Sequence, residues 1–236
     1  MRPFLSDKDF KDRNTLTISP TENRSRRDSA LDILRGACIA HMICSHLAGG
    51  TWADTLIQSP YYVSGADGFV FISGFVLGMI HPGRVARRGE WGALRMIFRR
   101  AGVLWLIHCA LILLAVTVNE ATGAVFFLPR VADSGGWPVL LWRVATLRFQ
   151  PMYFDILSMF TLFLLFTPPF LALLRVAGRV GMAIGAAASL ALYGIAQSHH
   201  EFLNIKDTLP GHGTGFVLPA WQLLFFGGLL LGHARA

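Results

Sequence analysis

The chain has 236 residues, 53% hydrophobic and only 15% charged, with 21 Lys and Arg against 14 Asp and Glu for a formal charge of +7. Soluble domains carry about 25% charged residues; low charge, long apolar runs and a mean hydropathy of +0.50 exclude an ordinary soluble domain and specify an integral membrane protein. Eighteen of the basic residues are Arg, and none of their clusters is interleaved with aromatics in the manner of a nucleic-acid platform, so the positive charge reads first as membrane-topology information.

The expected fold is all-α, a polytopic helix bundle of about six transmembrane helices. Residues 1–30 are polar and mixed in charge, without the apolar core of a signal peptide, and are expected to form a flexible cytoplasmic tail. The bundle itself is assigned to residues 31–236. The first span, 31–49, is rich in small residues yet carries Asp32, Arg35, His41 and His46. Ionisable groups in hydrocarbon are costly and mark a bundle interior or a polar path. A loop at 50–63 with Pro60, Tyr61 and Tyr62 has the aromatics of a membrane interface. The second span, 64–80, contains Gly74 and Gly78, a GxxxG pair that admits a close neighbour.

A basic loop with Arg84, Arg87, Arg88, Arg95, Arg99 and Arg100 leads to the third span, 101–118, which holds His108 and Cys109. The segment 119–151 is too long to be structureless, and a short interfacial or re-entrant helix is expected at 137–147. The fourth span, 153–174, opens with Asp155 and meets Pro168 and Pro169, where a kink or end is expected. Arg175 and Arg179 mark a turn, followed by the fifth span, 180–197. A polar loop carries His199, His200, Lys206 and His212, and the sixth span, 220–233, holds a second GxxxG pair, Gly228 and Gly232. The tail and even loops carry 7, 6 and 2 Lys plus Arg, the odd loops 0, 3 and 1, which places the N-terminus in the cytoplasm.

Chemistry concentrates in the first span. Arg35 and His46 are eleven positions apart, nearly on one face and about 16 Å apart along the axis. The guanidinium suits an anion at the cytoplasmic face, and the imidazole, expected about halfway through the core, suits proton transfer from a hydroxyl. The competing roles are an Asp32–Arg35 pair at i, i+3 and a histidine bonded between helices. His41 lies about 140° around the helix from His46 and takes a structural role. Asp67 can orient the imidazole or cap its own helix. Arg99 and Arg100, with Arg95, can hold donor phosphates or anchor the helix at the cytoplasmic surface. Asp155 can contact a polar acceptor on the outer side or cap the fourth span. His108 is expected as a core histidine. Cys38, Cys44 and Cys109 and the loop histidines lack metal-ligand or disulfide spacing, so no metal is expected.

Several stretches together resemble a known family. Arg35, ten residues and His46, set in Leu-Asp-Ile-Leu-Arg-Gly, are similar to the first helix of the acyltransferase 3 membrane family, and Phe71-Ile72-Ser73-Gly74-Phe75 to its second. Ala66-Asp67-Gly68-Phe69, Arg100-Ala101 with Leu104 and His108, Tyr153-Phe154-Asp155-Ile156-Leu157 and Trp221-Gln222-Leu223-Leu224-Phe225 resemble the OpgC branch, whose members succinylate periplasmic glucans. The resemblance implies a multi-pass enzyme of the bacterial inner membrane. Its acyl-CoA donor would come from the cytoplasm and its acceptor would be a periplasmic glucan or other surface glycan. Carried over, His46 is the catalytic base and Arg35 supports the donor. Two departures stand out. Family members have about ten spans, so a chain with six is expected to be the N-terminal part of a longer protein, and Ser158-Met159-Phe160 stands where Pro-Leu-Tyr is expected. They motivate a second function class: a non-catalytic membrane protein, either a degenerate relative or a permeation or lipid-handling component.

Overall fold

The structure, a computed structural model, describes residues 20–49, 51–52, 63–123, 128–151, 154–198 and 218–236, with side chains from Ser29 onward. The expected interfacial Tyr61 and Tyr62 and the loop residues His199, His200, Lys206 and His212 lie outside them. Among the described residues the regular structure is helical: α1 (Pro20–Leu47), α2 (Gly65–Thr122), α3 (Trp137–Ala145), α4 (Asp155–Ser198) and α5 (Leu218–Arg235). Three of these, α1 over Ser29–Leu47, α2 and α4, are long and apolar enough to cross a membrane. The helix begins at Pro20, well inside the stretch expected as a tail; proline is tolerated there because first-turn N–H groups have no intrahelical partner.

A straight 58-residue helix would be about 87 Å long, close to three times the hydrocarbon core. The α2 helix avoids this by breaking at Gly89 (φ 69°, ψ 171°), inside the expected basic loop. The α4 helix breaks at Gly178 (φ 51°, ψ −125°), between Arg175 and Arg179. Pro168 and Pro169, expected to kink or end the span, are instead carried within the helix, while the neighbouring Thr167 Oγ donates to the Phe163 carbonyl (2.7 Å). The break falls at glycine because only glycine takes such a positive φ without a Cβ penalty.

The chain forms two compact units, residues 1–69 and 70–236. In the first, α1 lies against the opening turn of α2. A Cβ on Gly65 would stand 2.6 Å from the Cys38 carbonyl oxygen and 2.8 Å from His41 Nδ1, and one on Gly68 2.9 Å from Cys38 Sγ. The two helices therefore touch where glycine removes side-chain bulk, as packing in lipid requires.

In the second unit the two GxxxG pairs are each other's partners. A Cβ on Gly74 would collide with the Phe225 carbonyl and one on Gly78 with that of Leu229. On the facing helix, Gly228 opposes the Phe71 carbonyl and Gly232 that of Phe75. The numbers rise together, so 70–88 and α5 run parallel. Phe160, Phe163, Phe170, Phe225 and Phe226 stack where α4 meets α5, with Phe163 and Phe225 centroids 5.1 Å apart. The arms of α4 fold back on each other at Gly178, where Gly181 meets Leu173 and Gly185 meets Phe170. A reciprocal clamp ties the second arm to α5: Ser189 Oγ donates to Gln222 Oε1 (2.8 Å) and Gln222 Nε2 donates to the Ser189 carbonyl (2.7 Å).

The segment after α2 turns back along it. Asn119 Nδ2 donates to the Leu128 carbonyl (3.5 Å), and the Val131 N–H donates to Glu120 Oε1 (2.8 Å). Gly135 and Gly136, both at positive φ, reverse the chain into α3. The helix α3 matches the start of the expected 137–147 helix and stops earlier, because Leu147 adopts φ 60°. Leu140, Val144 and Phe149 pack with Ile112, Val116, Leu128 and Val131 in one buried cluster. Trp105 Nε1 donates to the Ala145 carbonyl (2.9 Å), so this layer reaches back about ten residues along α2 before α4 starts.

Candidate functional site

Arg35, His46 and Asp67 belong to the first unit. Arg35 makes a 3.7 Å ion pair with Asp32 and places its guanidinium 5.4 Å from the centroid of the Phe69 ring. Its spacing to Asp32 at i, i+3 and its stacking on an aromatic face hold the fork in one place. His46 is exposed and lies in the last turn of α1. The helix stops one residue later, two residues short of the expected end of the span, so the imidazole sits at the end of α1. Arg35 faces Phe69 and His41 faces Gly65, so α1 and the start of α2 are antiparallel. His46 continues about 7 Å past the level of Gly65.

Asp67 closes a capping box. Ser64 donates to Asp67 Oδ2 from its N–H (2.6 Å) and its Oγ (2.8 Å), and the Asp67 N–H donates back to Ser64 Oγ (3.3 Å). Reciprocal capping of this kind satisfies otherwise unpaired N–H groups at a helix start.

Arg99, Arg100 and Asp155 belong to the second unit. Arg95, Arg99 and Arg100 are exposed on the second arm of α2. Two polar contacts tie this arm to α4. Glu90 pairs with Arg175 near the Gly89 break, and His108, farther along the arm, stands beside the Phe154 main chain and the Asp155 carboxylate. The two marks are about 27 Å apart along α2 and about 30 Å along α4, and the numbers run oppositely, so these stretches are antiparallel. Arg99 and Arg100 lie about 14 Å from Glu90 along the axis, roughly midway between the marks.

Asp155 is 5% exposed and His108 1% exposed. Neither His108 ring nitrogen has a partner of hydrogen-bond geometry, leaving the carboxylate as its charged neighbour. Ser158, fully buried, donates from Oγ to the Asp155 carbonyl (2.7 Å). The juxtaposition was not visible in the sequence, where His108 and Asp155 are separated by the whole folded-back layer. The only hint was that both fall inside stretches with a family resemblance.

Among the described residues no group of three or more His, Cys, Asp and Glu is placed to hold a metal. Cys38, Cys44 and Cys109 are free thiols.

Comparison with curated proteins and with solved structures returns no match. Residues 27–236, from just before the apolar part of α1 through α5, match the family model described as OpgC protein. That match covers most of the chain and agrees with the long apolar helices: the protein is a membrane protein and belongs to the OpgC family.

Proposed function

We propose that the chain is the helix bundle, residues 31–236, of an O-acyltransferase of the bacterial inner membrane. It would move an acyl group, succinyl by analogy with its branch, from cytoplasmic acyl-CoA to a hydroxyl of a periplasmic glucan or related surface glycan. The observation that carries this is the OpgC family match over residues 27–236. Arg35, oriented by Asp32 and Phe69, supplies a fixed cation for the donor. His46 supplies an exposed imidazole at the end of the same helix.

In the proposed reaction His46 takes the proton from the acceptor hydroxyl as the oxygen attacks the thioester carbonyl. The tetrahedral intermediate collapses with loss of the CoA thiolate, which takes the proton back from the imidazolium. The products are an ester and free CoA, and the imidazole is regenerated. Arg35 in the first unit, and separately Arg99 and Arg100 in the second, are each candidates for charge-assisted bonds to donor phosphates. Asp67 is assigned a positioning role: its capping box fixes the first turn of α2 against α1. Asp155 sits on the acceptor side, where its burial beside His108 suits it to orienting the start of α4 rather than meeting bulk solvent.

The topology in this proposal has six crossings and a cytoplasmic N-terminus. It is supported by the Lys and Arg counts, by the parallel course of 70–88 and α5, and by the antiparallel marks along α2 and α4. The test is acyl transfer from labelled acyl-CoA to glucan in membranes carrying the wild-type chain or Arg35→Gln. The proposal expects a raised acyl-CoA KM in the variant at equal protein level. An unchanged KM removes Arg35 from the donor site, and no transfer by wild type, beside an active full-length relative, favours the non-catalytic reading.

A further inference from the structure

The glycine contact between 70–88 and α5 ends in a pair of histidines. His81 follows Gly78 by one helical turn, and His233 stands at the end of α5. A Cβ on Gly78 would lie 2.8 Å from the His233 backbone nitrogen, so the two helices are still in contact at this level. His81 is 8% exposed, and the Nδ1 atoms of both rings are sealed from solvent without a hydrogen-bond partner. Buried polar nitrogens are ordinarily satisfied, so two side by side call for an explanation.

The charged surroundings of these rings are one-sided. The groups that act on His81 are His233 and Arg84, and those that act on Arg84 are Arg87 and Arg88. Among the described residues no carboxylate is named beside His81 or Arg84. Glu90, the acid next along the chain, is already paired with Arg175. Cations gathered around unsatisfied imidazoles, without an acid among the described residues to balance them, repel a metal ion and attract an oxyanion. A phosphate offers enough acceptor oxygens to engage both rings and the Arg84 fork together.

We infer that His81, His233 and Arg84 form a binding site for a phosphate group at the end of the 70–88 and α5 helix pair. Two sources share this chemistry: the phosphates of a soluble CoA-type donor and the phosphodiester of an anionic lipid. The site rests on the acyltransferase proposal only for the first source. Its geometry belongs to the second unit alone and needs no catalytic role for His46.

The experiment uses the full chain in nanodiscs of neutral phosphatidylcholine. One arm titrates free CoA and inorganic pyrophosphate by calorimetry. The other measures retention of labelled phosphatidylglycerol. Binding in either arm is expected to weaken about tenfold in Arg84→Gln and in His81→Gln, the factor for one charge-assisted bond. The 15N resonances of His81 and His233 should shift when the bound probe is added. A response to CoA identifies the donor as the source, and a response confined to phosphatidylglycerol identifies the lipid. Binding of neither probe overturns the inference, as does binding within twofold of wild type in Arg84→Gln, a half-buried position that decides the matter if His81→Gln does not fold. His46→Ala is expected to keep the binding while losing acyl transfer, so failure of the site and failure of the catalytic proposal give different results.

Discussion

Two imidazoles are sealed within the second unit, and their neighbours are opposites. His108 has a buried carboxylate, Asp155, beside it. His81 has a second imidazole, His233, and the Arg84 guanidinium. Burial alone assigns neither a role. A ring next to a carboxylate is internally compensated, and removing either partner takes away part of that compensation. A ring among cations is incomplete by itself, and what completes it is an anion from outside the fold. The difference predicts that mutations at the two places fail in different assays, one in stability and the other in binding.

The largest effect should come from the contact that holds the cationic end together. Gly78→Leu drives a side chain into the Leu229 carbonyl, an obstacle that cannot rotate away. A loss beyond about 3 kcal/mol of stability is expected, seen as failure to accumulate in membranes. Normal accumulation would mean that the helices do not meet at the glycines. His108→Leu comes next. It removes the buried imidazole beside Asp155 and should cost about 1 kcal/mol or more in detergent unfolding. The double change His108→Leu with Asp155→Leu should recover part of that loss, and strictly additive losses would break the pairing.

Gln222→Leu removes a neutral clamp to Ser189. It is expected to cost about 0.6–1.7 kcal/mol, the range found for hydrogen bonds between membrane helices. His81→Leu should be the mildest. It removes an imidazole with an unsatisfied nitrogen, so stability should change by less than about 1 kcal/mol. If His81→Leu destabilised the chain as much as His108→Leu, the contrast between the two ends would collapse.

Much of this architecture was legible in the sequence. Both GxxxG pairs were readable as places of close approach, because glycine at that spacing has one obvious physical use. That they face one another was not, since nothing local names a partner. The folded-back helix at 137–147 was expected from the length of the connection alone, and α3 occupies the first nine residues of that range. The span break was anticipated near Arg175 and Arg179, and it falls at Gly178 between them. Pro168 and Pro169 do not end α4, since a helix buried among others tolerates proline.

At the candidate site, the Asp32–Arg35 pair and the Asp67 cap were both visible as local alternatives, since i, i+3 partners are set by helix geometry. The place of His46 near the end of α1 was legible as well, since the expected span closed within two residues of Leu47. The His108–Asp155 and His81–His233 pairs were hidden: each joins residues far apart in sequence.

The central claim is that His46 is the base that activates the acceptor hydroxyl. The direct measurement is single-turnover transfer of a labelled acyl group from acyl-CoA to purified glucan, with wild type and His46→Ala compared at equal, folded protein level. The account predicts a loss of about 10²–10⁴-fold in the transfer rate with acyl-CoA binding retained. Transfer at the wild-type rate by His46→Ala would contradict it.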